Sequence, residues 1–190
     1  MSIGKREDRR IRKTKKALRE GLAELLSKKS IQSITVKELT DKVDIHRSTF
    51  YANFKDVYDL CSHMEDTIIQ EISDIISVDC SFDPNIIFKD VLDYINDNRP
   101  ISRLFFGGNI SASFFERLTV LFKDACMDCL RGEYDIANAS EEMNYYAQFY
   151  FSGSFGVIGM WASGGFEYPV EKLVAMLANI DSEFLKNFRK

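Results

Sequence analysis

The sequence predicts an all-α protein in which a small N-terminal domain is followed by a larger helical domain. Apolar residues recur at the helical spacing of three and four along most of the chain, and no stretch alternates as a half-buried strand would. The three prolines, Pro84, Pro100 and Pro169, fall where this pattern places the start or the end of a helix. We therefore expect a three-helix domain with a helix-turn-helix in residues 1–55, and a second helical domain in residues 56–190.

The first predicted helix, residues 9–28, has one apolar face and one basic face. The apolar face carries Ile11, Leu18, Leu22 and Leu25. The basic face carries Arg9, Arg10, Arg12, Lys13, Lys15, Lys16 and Arg19. Residues 1–60 hold 15 Lys and Arg against 9 Asp and Glu, a net charge of +6, whereas residues 61–190 hold 10 against 20, a net charge of −10. This division favours a polyanionic partner for the N-terminal domain, and a solvated basic helix is the plainer alternative.

The signals for a second helix start at Thr35. Thr35 and Glu38 have the spacing of a capping box, in which each side chain satisfies a backbone N–H at the other position. The two apolar residues of a hydrophobic staple flank this box: Ile34 and Leu39. We expect the helix to end near Val43, with a short turn at residues 44–45 and a third helix at residues 46–53.

The third helix divides into an apolar side and a polar side. Phe50 and Phe54 lie four residues apart and would anchor the helix to its own domain. The polar side carries His46, Arg47, Ser48, Thr49 and Tyr51. A recognition helix in the DNA major groove needs this division. Arg47 is the best candidate for a base contact, because its guanidinium can bond both O6 and N7 of guanine.

Phosphate contacts are expected beside the third helix. Thr35 and Lys37 stand at a predicted helix N-terminus, where backbone donors and the helix dipole favour a phosphate. Lys55 follows the third helix directly and is a further candidate. Ser48, Thr49 and Tyr51 could reach base edges or phosphates. For each of these residues the alternative is an ordinary exposed polar side chain.

A long fourth helix is predicted to begin after Asp56, which has the character of its N-cap. Its apolar residues are Val57, Leu60, Cys61, Met64, Ile68, Ile72, Ile75 and Ile76. This stripe is long enough to leave the N-terminal domain and enter the next one. Further helices are expected at about residues 84–98, 111–131, 140–164 and 170–188.

The segment from Met143 to Phe166 contains no charged residue. It is long enough to suggest a membrane span, but its polar residues and the lack of a basic flank favour a helix buried at a subunit interface. Small residues recur along it: Ser152, Gly156, Gly159 and Ser163. Such a stripe permits close approach of two helices. Together with residues 170–188 it predicts a dimeric four-helix bundle.

Motifs of catalysis and cofactor binding are missing from the sequence, which has no phosphate loop, no H-E-x-x-H and no G-x-S-x-G. We expect neither enzymatic activity nor a cofactor. Cys126 and Cys129 have a spacing that suits zinc or redox chemistry, but they lie in an apolar helical pattern without histidines at ligand spacing. We interpret them as packed thiols. Because no apolar h-region follows Met1, a cytoplasmic location is expected.

Three runs of the N-terminal domain carry a family resemblance. They are Ile34-Thr-Val-Lys-Glu-Leu39, Ile45-His-Arg-Ser-Thr-Phe-Tyr-Ala-Asn-Phe54 and Lys55-Asp-Val-Tyr-Asp-Leu60. Over about residues 9–62 the chain resembles the TetR family of transcriptional regulators. The resemblance implies a homodimeric DNA-binding regulator, usually a repressor, whose C-terminal domain supplies dimerisation and the binding of a small-molecule effector.

The resemblance also implies which residues contact DNA. By matching position these are Thr35, Val36, Lys37, His46, Arg47, Ser48, Thr49, Tyr51, Asn53 and Lys55. Asn53 departs from the family pattern, which commonly has His there, but an amide can still donate to a phosphate oxygen. The alternative function is a co-regulator of the same fold that acts through protein partners without binding DNA. The polar third helix and the basic N-terminal domain favour DNA binding.

Overall fold

Every regular element that the structure describes is helical, which confirms the all-α class. The structure is a computed structural model, and it describes residues 9–77, 84–106, 112–130 and 141–186. The helices are α1 (Arg9–Leu26), α2 (Val36–Lys42), α3 (Arg47–Tyr51), α4 (Val57–Ser77), α5 (Pro84–Asp97), α6 (Arg99–Phe106), α7 (Ala112–Leu130), α8 (Glu141–Ser163) and α9 (Val170–Lys186), with a 3-10 turn at Ile31–Ser33.

The chain forms two compact units, unit 1 (Met1–Thr67) and unit 2 (Ile68–Lys190). The division falls inside α4, whereas the domain boundary predicted from the sequence, after residue 55, coincides with the start of α4. That boundary stays a prediction. Asp56 caps α4 as the sequence indicates, because its Oδ1 accepts a hydrogen bond from the Asp59 N–H at 2.8 Å.

Unit 1 is built on a small apolar core to which α1, α2, α3 and α4 all contribute. Its fully buried side chains include Leu18, Leu22, Leu39, Phe50 and Leu60. Ile11, which the sequence places on the same apolar face of α1, is instead 41% exposed. The first buried residue of α1 is Leu18, so the first two turns of the helix extend beyond the core.

Unit 2 packs α5 against α9, and α8 against α6 and α7. Phe106, Phe114 and Leu118 are among its fully buried residues. The sequence did not predict α6, although it placed Pro100 where a helix starts or stops. Pro100 occupies the second position of α6, where a residue has no intrahelical partner for its N–H, so proline is tolerated.

The uncharged helix α8 has one buried face, which serves the core of unit 2. Phe151, Phe155, Ile158 and Ala162 are buried. Gly159 belongs to the contact with α6, since a Cβ atom on it would lie 2.6 Å from the Phe106 carbonyl oxygen. This contact accounts for Gly159 within the chain, and a role for Gly159 at a subunit interface stays a prediction. Within the described ranges, no helix is both long and apolar enough to cross a membrane.

Some sequence-based expectations concern residues that the structure does not describe. The side chains of Cys126 and Cys129, which were interpreted as packed thiols, lie outside the described residues, as do residues 187–188 of the last predicted helix. Among the residues that are described, no group of three or more His, Cys, Asp or Glu side chains could hold a metal ion.

Candidate nucleic-acid interface

The N-terminus of α2 is fixed by one half of the predicted capping box. The Thr35 hydroxyl accepts a hydrogen bond from the Glu38 N–H at 3.2 Å, as expected. The Glu38 carboxylate, however, accepts a hydrogen bond from Lys29 Nζ at 2.6 Å. Lys29 also donates to the Ser33 carbonyl at 3.2 Å, so it ties the segment before α2 to the helix. The sequence pattern did not reveal this role of Lys29, because the two partners are nine residues apart.

A tight turn joins α2 to α3. Asp44 has a φ of +53°, a left-handed conformation that Asp tolerates better than most residues. The Ile45 N–H donates to the Thr40 carbonyl at 3.0 Å, which is the long hydrogen bond of a Schellman motif at the end of a helix. This turn ends α2 and lets α3 begin at Arg47, and it confirms the break predicted after Val43.

Two phenylalanines anchor the helix α3 to the core of unit 1. Phe50 is completely buried, Phe54 is 5% exposed, and their ring centroids lie 5.9 Å apart. Three predicted contact residues on the same helix, Arg47, Ser48 and Tyr51, are exposed. Tyr51 keeps 58% of its surface exposed although its ring meets the Phe50 ring edge-on. The helix therefore has the division into a packed side and a free polar side that the sequence predicts.

The remaining predicted contact residues lie around α3. Those with exposed side chains are Thr35, Lys37, His46 and Lys55, and those with half-buried side chains are Val36, Thr49 and Asn53. Asn53 is engaged inside the unit, because its amide donates to the Thr49 carbonyl at 2.8 Å and so caps the end of α3. A contact from Asn53 to phosphate, which the sequence was least able to support, stays a prediction.

The positive charge around α3 is carried by fewer side chains than the sequence suggests. Lys16, Lys29 and Lys42 pair with Glu20, Glu38 and Glu24 respectively. The hydrogen bond and charge of Lys42 lower the pKa of Glu24.

In contrast, Lys37, Arg47 and Lys55 form no ion pair within the described part of the chain. Their charges are available to a polyanion without first breaking an internal pair. Arg47 belongs to α3, Lys37 to α2, and Lys55 follows α3 in the chain. All three are exposed, so the local potential favours an anionic partner in this part of unit 1. We refer to the exposed residues of α3 together with Thr35, Lys37 and Lys55 as the α3 surface.

The chain is similar to one family model and to several solved structures. A TetR-type family model described as a transcriptional regulator C-terminal region matches residues 83–182. No curated protein sequence matches the chain significantly.

Several solved structures share the fold. The dihydroxyacetone kinase operon activator DhaS is 17% identical with a TM-score of 0.68, and the match covers 93% of this chain and 98% of DhaS. A TetR transcriptional regulator from Streptococcus agalactiae is 19% identical with a TM-score of 0.64, over 92% of this chain and 96% of that chain. The fatty acid degradation regulator FadR from Bacillus halodurans is 11% identical with a TM-score of 0.69, over 92% and 99%.

These observations define the class of the protein. Unit 1 contains a helix-turn-helix, and unit 2 matches the C-terminal region of transcriptional regulators. This combination is typical of a transcriptional regulator. Because the matched region spans more than half of the sequence, the chain belongs to the TetR family of transcriptional regulators.

Proposed function

We propose that this protein is a sequence-specific DNA-binding repressor that binds a palindromic operator as a homodimer and responds to a small-molecule effector. The observation that carries the proposal is the division of α3. Phe50 anchors the helix to the core of unit 1, while Arg47, Ser48 and Tyr51 stay exposed. Within the described residues, Arg47 forms no ion pair. A helix of this kind fits the major groove of DNA, and such a regulator would act in the cytoplasm with its DNA.

Two kinds of contact follow from the positions of the side chains. Arg47 is suited to read a guanine, because its planar fork can donate to O6 and N7 together. Thr35, Lys37 and Lys55 are suited to phosphates, which set the position of the protein on the duplex but carry no sequence information. In a two-fold homodimer, the two α3 surfaces would contact half-sites separated by about one helical turn, or a multiple of it.

Repression would follow when the operator overlaps the promoter. The printed name of DhaS describes an activator, so the position of the operator, and not the fold, decides the direction of regulation. An effector that binds unit 2 with different affinities in two conformations would shift the population of the DNA-binding one. The helix α4 has residues in both units, so a change along α4 would involve both of them.

Selection from random-sequence DNA tests this function. We expect the purified protein to enrich a motif with two-fold symmetry, and the affinity for that motif to fall steeply with salt concentration. Lys172→Ala removes one exposed positive charge from α9 and is the matched control, for which the same motif is expected. A folded protein that enriches no motif at low salt would overturn the proposal. A motif without two-fold symmetry would overturn the homodimer.

A further inference from the structure

Two arginines of unit 2 stack on one phenylalanine ring. Arg99 begins α6 and Arg103 follows one turn later, so their side chains are neighbours on the helix surface. Their guanidinium carbons lie 5.3 Å and 5.8 Å from the centroid of the Phe166 ring. Both distances are within the range of a cation–π contact. We refer to Arg99 and Arg103 on the Phe166 ring as the arginine cluster.

The turn after α8 brings Phe166 to this position. Gly165 and Phe166 both have a left-handed backbone conformation, with φ of +81° and +63° respectively. A bulky residue rarely adopts a positive φ, so the contacts of the Phe166 ring must hold it there. The ring is buried and also meets the Trp161 ring edge-on, with 5.0 Å between the centroids. The arginines are therefore exposed side chains on a fixed aromatic support.

Neither arginine has an acidic partner within the described part of the chain. Arg99 donates through Nε and Nη2 to the Asn96 side-chain oxygen, at 3.2 Å and 2.8 Å, and this acceptor is neutral. The acids nearest in sequence are Asp97 and Glu167, and neither forms an ion pair with the cluster. Two like charges one turn apart on a helix repel each other. A bound anion would remove that repulsion.

We propose that the arginine cluster binds a small oxyanion with two negative charges, of the kind that a phosphate monoester carries. Each guanidinium offers a planar fork of N–H donors, which suits phosphate oxygens. The two positive charges of Arg99 and Arg103 together match one dianion. This inference rests on the small-molecule effector of the proposed function and gives that effector a chemical class.

The charge of the rest of the chain favours a small anion over a nucleic acid at this cluster. Residues 61–190 carry 10 Lys and Arg against 20 Asp and Glu. An extended polyanion would meet the repulsion of many of these acids. A small ion interacts mainly with charges within a Debye length, about 8 Å at physiological salt, and so with the two arginines. The cluster therefore differs from the α3 surface, which lies in the basic N-terminal part of the chain.

Trp161 provides a local reporter of binding, because it is the only tryptophan in the sequence and its ring contacts Phe166. We expect its fluorescence to change saturably when sodium phosphate is added at pH 8 and constant ionic strength. Isothermal titration calorimetry measures the same affinity without relying on Trp161. Acetate, which has one negative charge, should bind about 10-fold more weakly or less. No saturable binding of phosphate by either method overturns the proposal, and equal affinity for acetate overturns the match to a dianion.

Charge-removing variants locate the site. Arg99→Gln and Arg103→Gln each remove one positive charge at an exposed position, and circular dichroism should show an unchanged fold. We expect each variant to weaken phosphate binding by about 10-fold or more. Lys172→Gln removes a positive charge from an exposed position of α9 in the same unit and should leave the affinity unchanged. Phosphate binding that survives in both arginine variants, or that falls equally in Lys172→Gln, would overturn the site.

Glu167 provides a variant with the opposite expected sign. A Cβ atom on Gly165 would lie 3.4 Å from Arg103 Nη2 and 4.0 Å from Glu167 Cγ, so the Glu167 side chain lies beside Arg103. Its negative charge opposes a bound anion. We expect Glu167→Gln to bind phosphate about 2- to 5-fold more tightly. Weaker binding by this variant would contradict an anion beside Arg103.

These measurements contain no DNA, so their outcomes separate this proposal from the proposed function. A chain that enriches an operator motif but binds no phosphate overturns the anion site and leaves DNA binding intact. A chain that binds phosphate at the arginine cluster but enriches no motif overturns the proposed function, and the site then loses its role in binding an effector.

Discussion

Two exposed surfaces of this protein differ in the chemistry that they leave uncovered. The α3 surface presents cations and hydroxyl groups, with Arg47 free of internal ion pairs within the described residues. The exposed face of α8, here called the α8 face, presents Phe149 and Met160, and no charged residue occurs from Met143 to Phe166. The first suits a hydrated polyanion, and its binding should weaken with salt. The second suits an apolar partner, and its association should change little with salt.

The two surfaces also differ in how they are supported. Phe50 holds α3 in place from within a small core. The helix α8 is supported over a longer distance by close packing, at Gly159 against the Phe106 carbonyl and at Phe155 against α7. Loss of one side chain should therefore abolish the α3 surface more readily than the α8 face. The following experiments test that difference.

Removal of the anchor of α3 should have the largest effect. Phe50→Ala deletes a fully buried ring, and we expect the free energy of unfolding of unit 1 to fall by about 3–5 kcal/mol. Specific DNA binding should be lost, whereas light scattering should still show the dimer. Denaturant unfolding followed by circular dichroism measures the change in stability. Phe50→Leu keeps an apolar side chain and should lose much less stability. A Phe50→Ala variant that still binds DNA specifically would contradict the anchoring role of Phe50.

Substitutions on the α3 surface should alter DNA binding without altering stability. We expect Arg47→Ala to reduce discrimination at one base pair of the half-site by about 1–3 kcal/mol. Lys37→Ala should weaken all sequences similarly and reduce the salt slope by about 1. Binding titrations against a set of single-base operator variants, at several salt concentrations, separate the two effects. An Arg47→Ala protein with an unchanged preference at every position would remove Arg47 from base reading.

The support of α8 can be weakened without touching its exposed face. Gly159→Ala places a methyl group against a backbone oxygen of α6, and we expect unit 2 to lose about 1–3 kcal/mol. Gly21→Ala in α1 meets the Val43 side chain instead. A side chain can shift more easily than a backbone, so the loss in unit 1 should be smaller. Thermal unfolding of both variants tests this order, and the opposite ranking would show that the contact of Gly159 with α6 is not a close one.

The cap of α2 should contribute a smaller amount. Thr35→Ala removes the hydroxyl that accepts the Glu38 N–H, and we expect a loss of about 1 kcal/mol in the stability of unit 1. Thr35→Ser keeps the acceptor and should restore most of it. Equal stability of the alanine and serine variants, measured by denaturant unfolding, would indicate that the cap is not formed in solution.

The smallest effect concerns Cys61, which reports on the packing of α4 within unit 1. Burial, with a smaller contribution from Glu65, raises the pKa of its thiol from 9.0 to about 11. Between these two values the unfolded chain loses the thiol proton while the folded chain keeps it, so stability should decline as the pH rises through this window. Alkylation of the Cys61 peptide at pH 8, measured by mass spectrometry, should be much slower in the folded chain than in denaturant. Equal rates would show that Cys61 is accessible.

The parts of the fold that could be predicted are those whose signals are local. The caps at Thr35 and Asp56 depend on residues three positions apart, and both are present in the structure. The anchoring pair Phe50 and Phe54 follows from helical spacing alone. In each case the sequence contains both partners of the interaction within one turn of helix, so no knowledge of the tertiary structure is needed.

Features that depend on contacts between distant segments could not be predicted. The pairing of Lys29 with Glu38 replaces half of the capping box, and its partners belong to different elements. Gly159 resembled an interface residue because spacing alone cannot distinguish contact with α6 from contact with a second copy. The ion pairs of Lys16 and Lys42 likewise lower the number of cations in unit 1 that are available to a polyanion. Each of these residues has several possible partners. Which contact forms depends on the tertiary packing, which a local sequence pattern does not contain.

The length of α3 has a consequence for how this protein can evolve. The helix has five residues, whereas a free helix needs about 12–15 to persist in water. Its conformation therefore comes from the packing of Phe50, and its exposed positions contribute little to stability. Changes at Arg47, Ser48 or Tyr51 can accumulate at almost no cost to the fold. The same scaffold can thus acquire new operator preferences through successive viable intermediates, while selection for stability acts on a different residue of the same short segment.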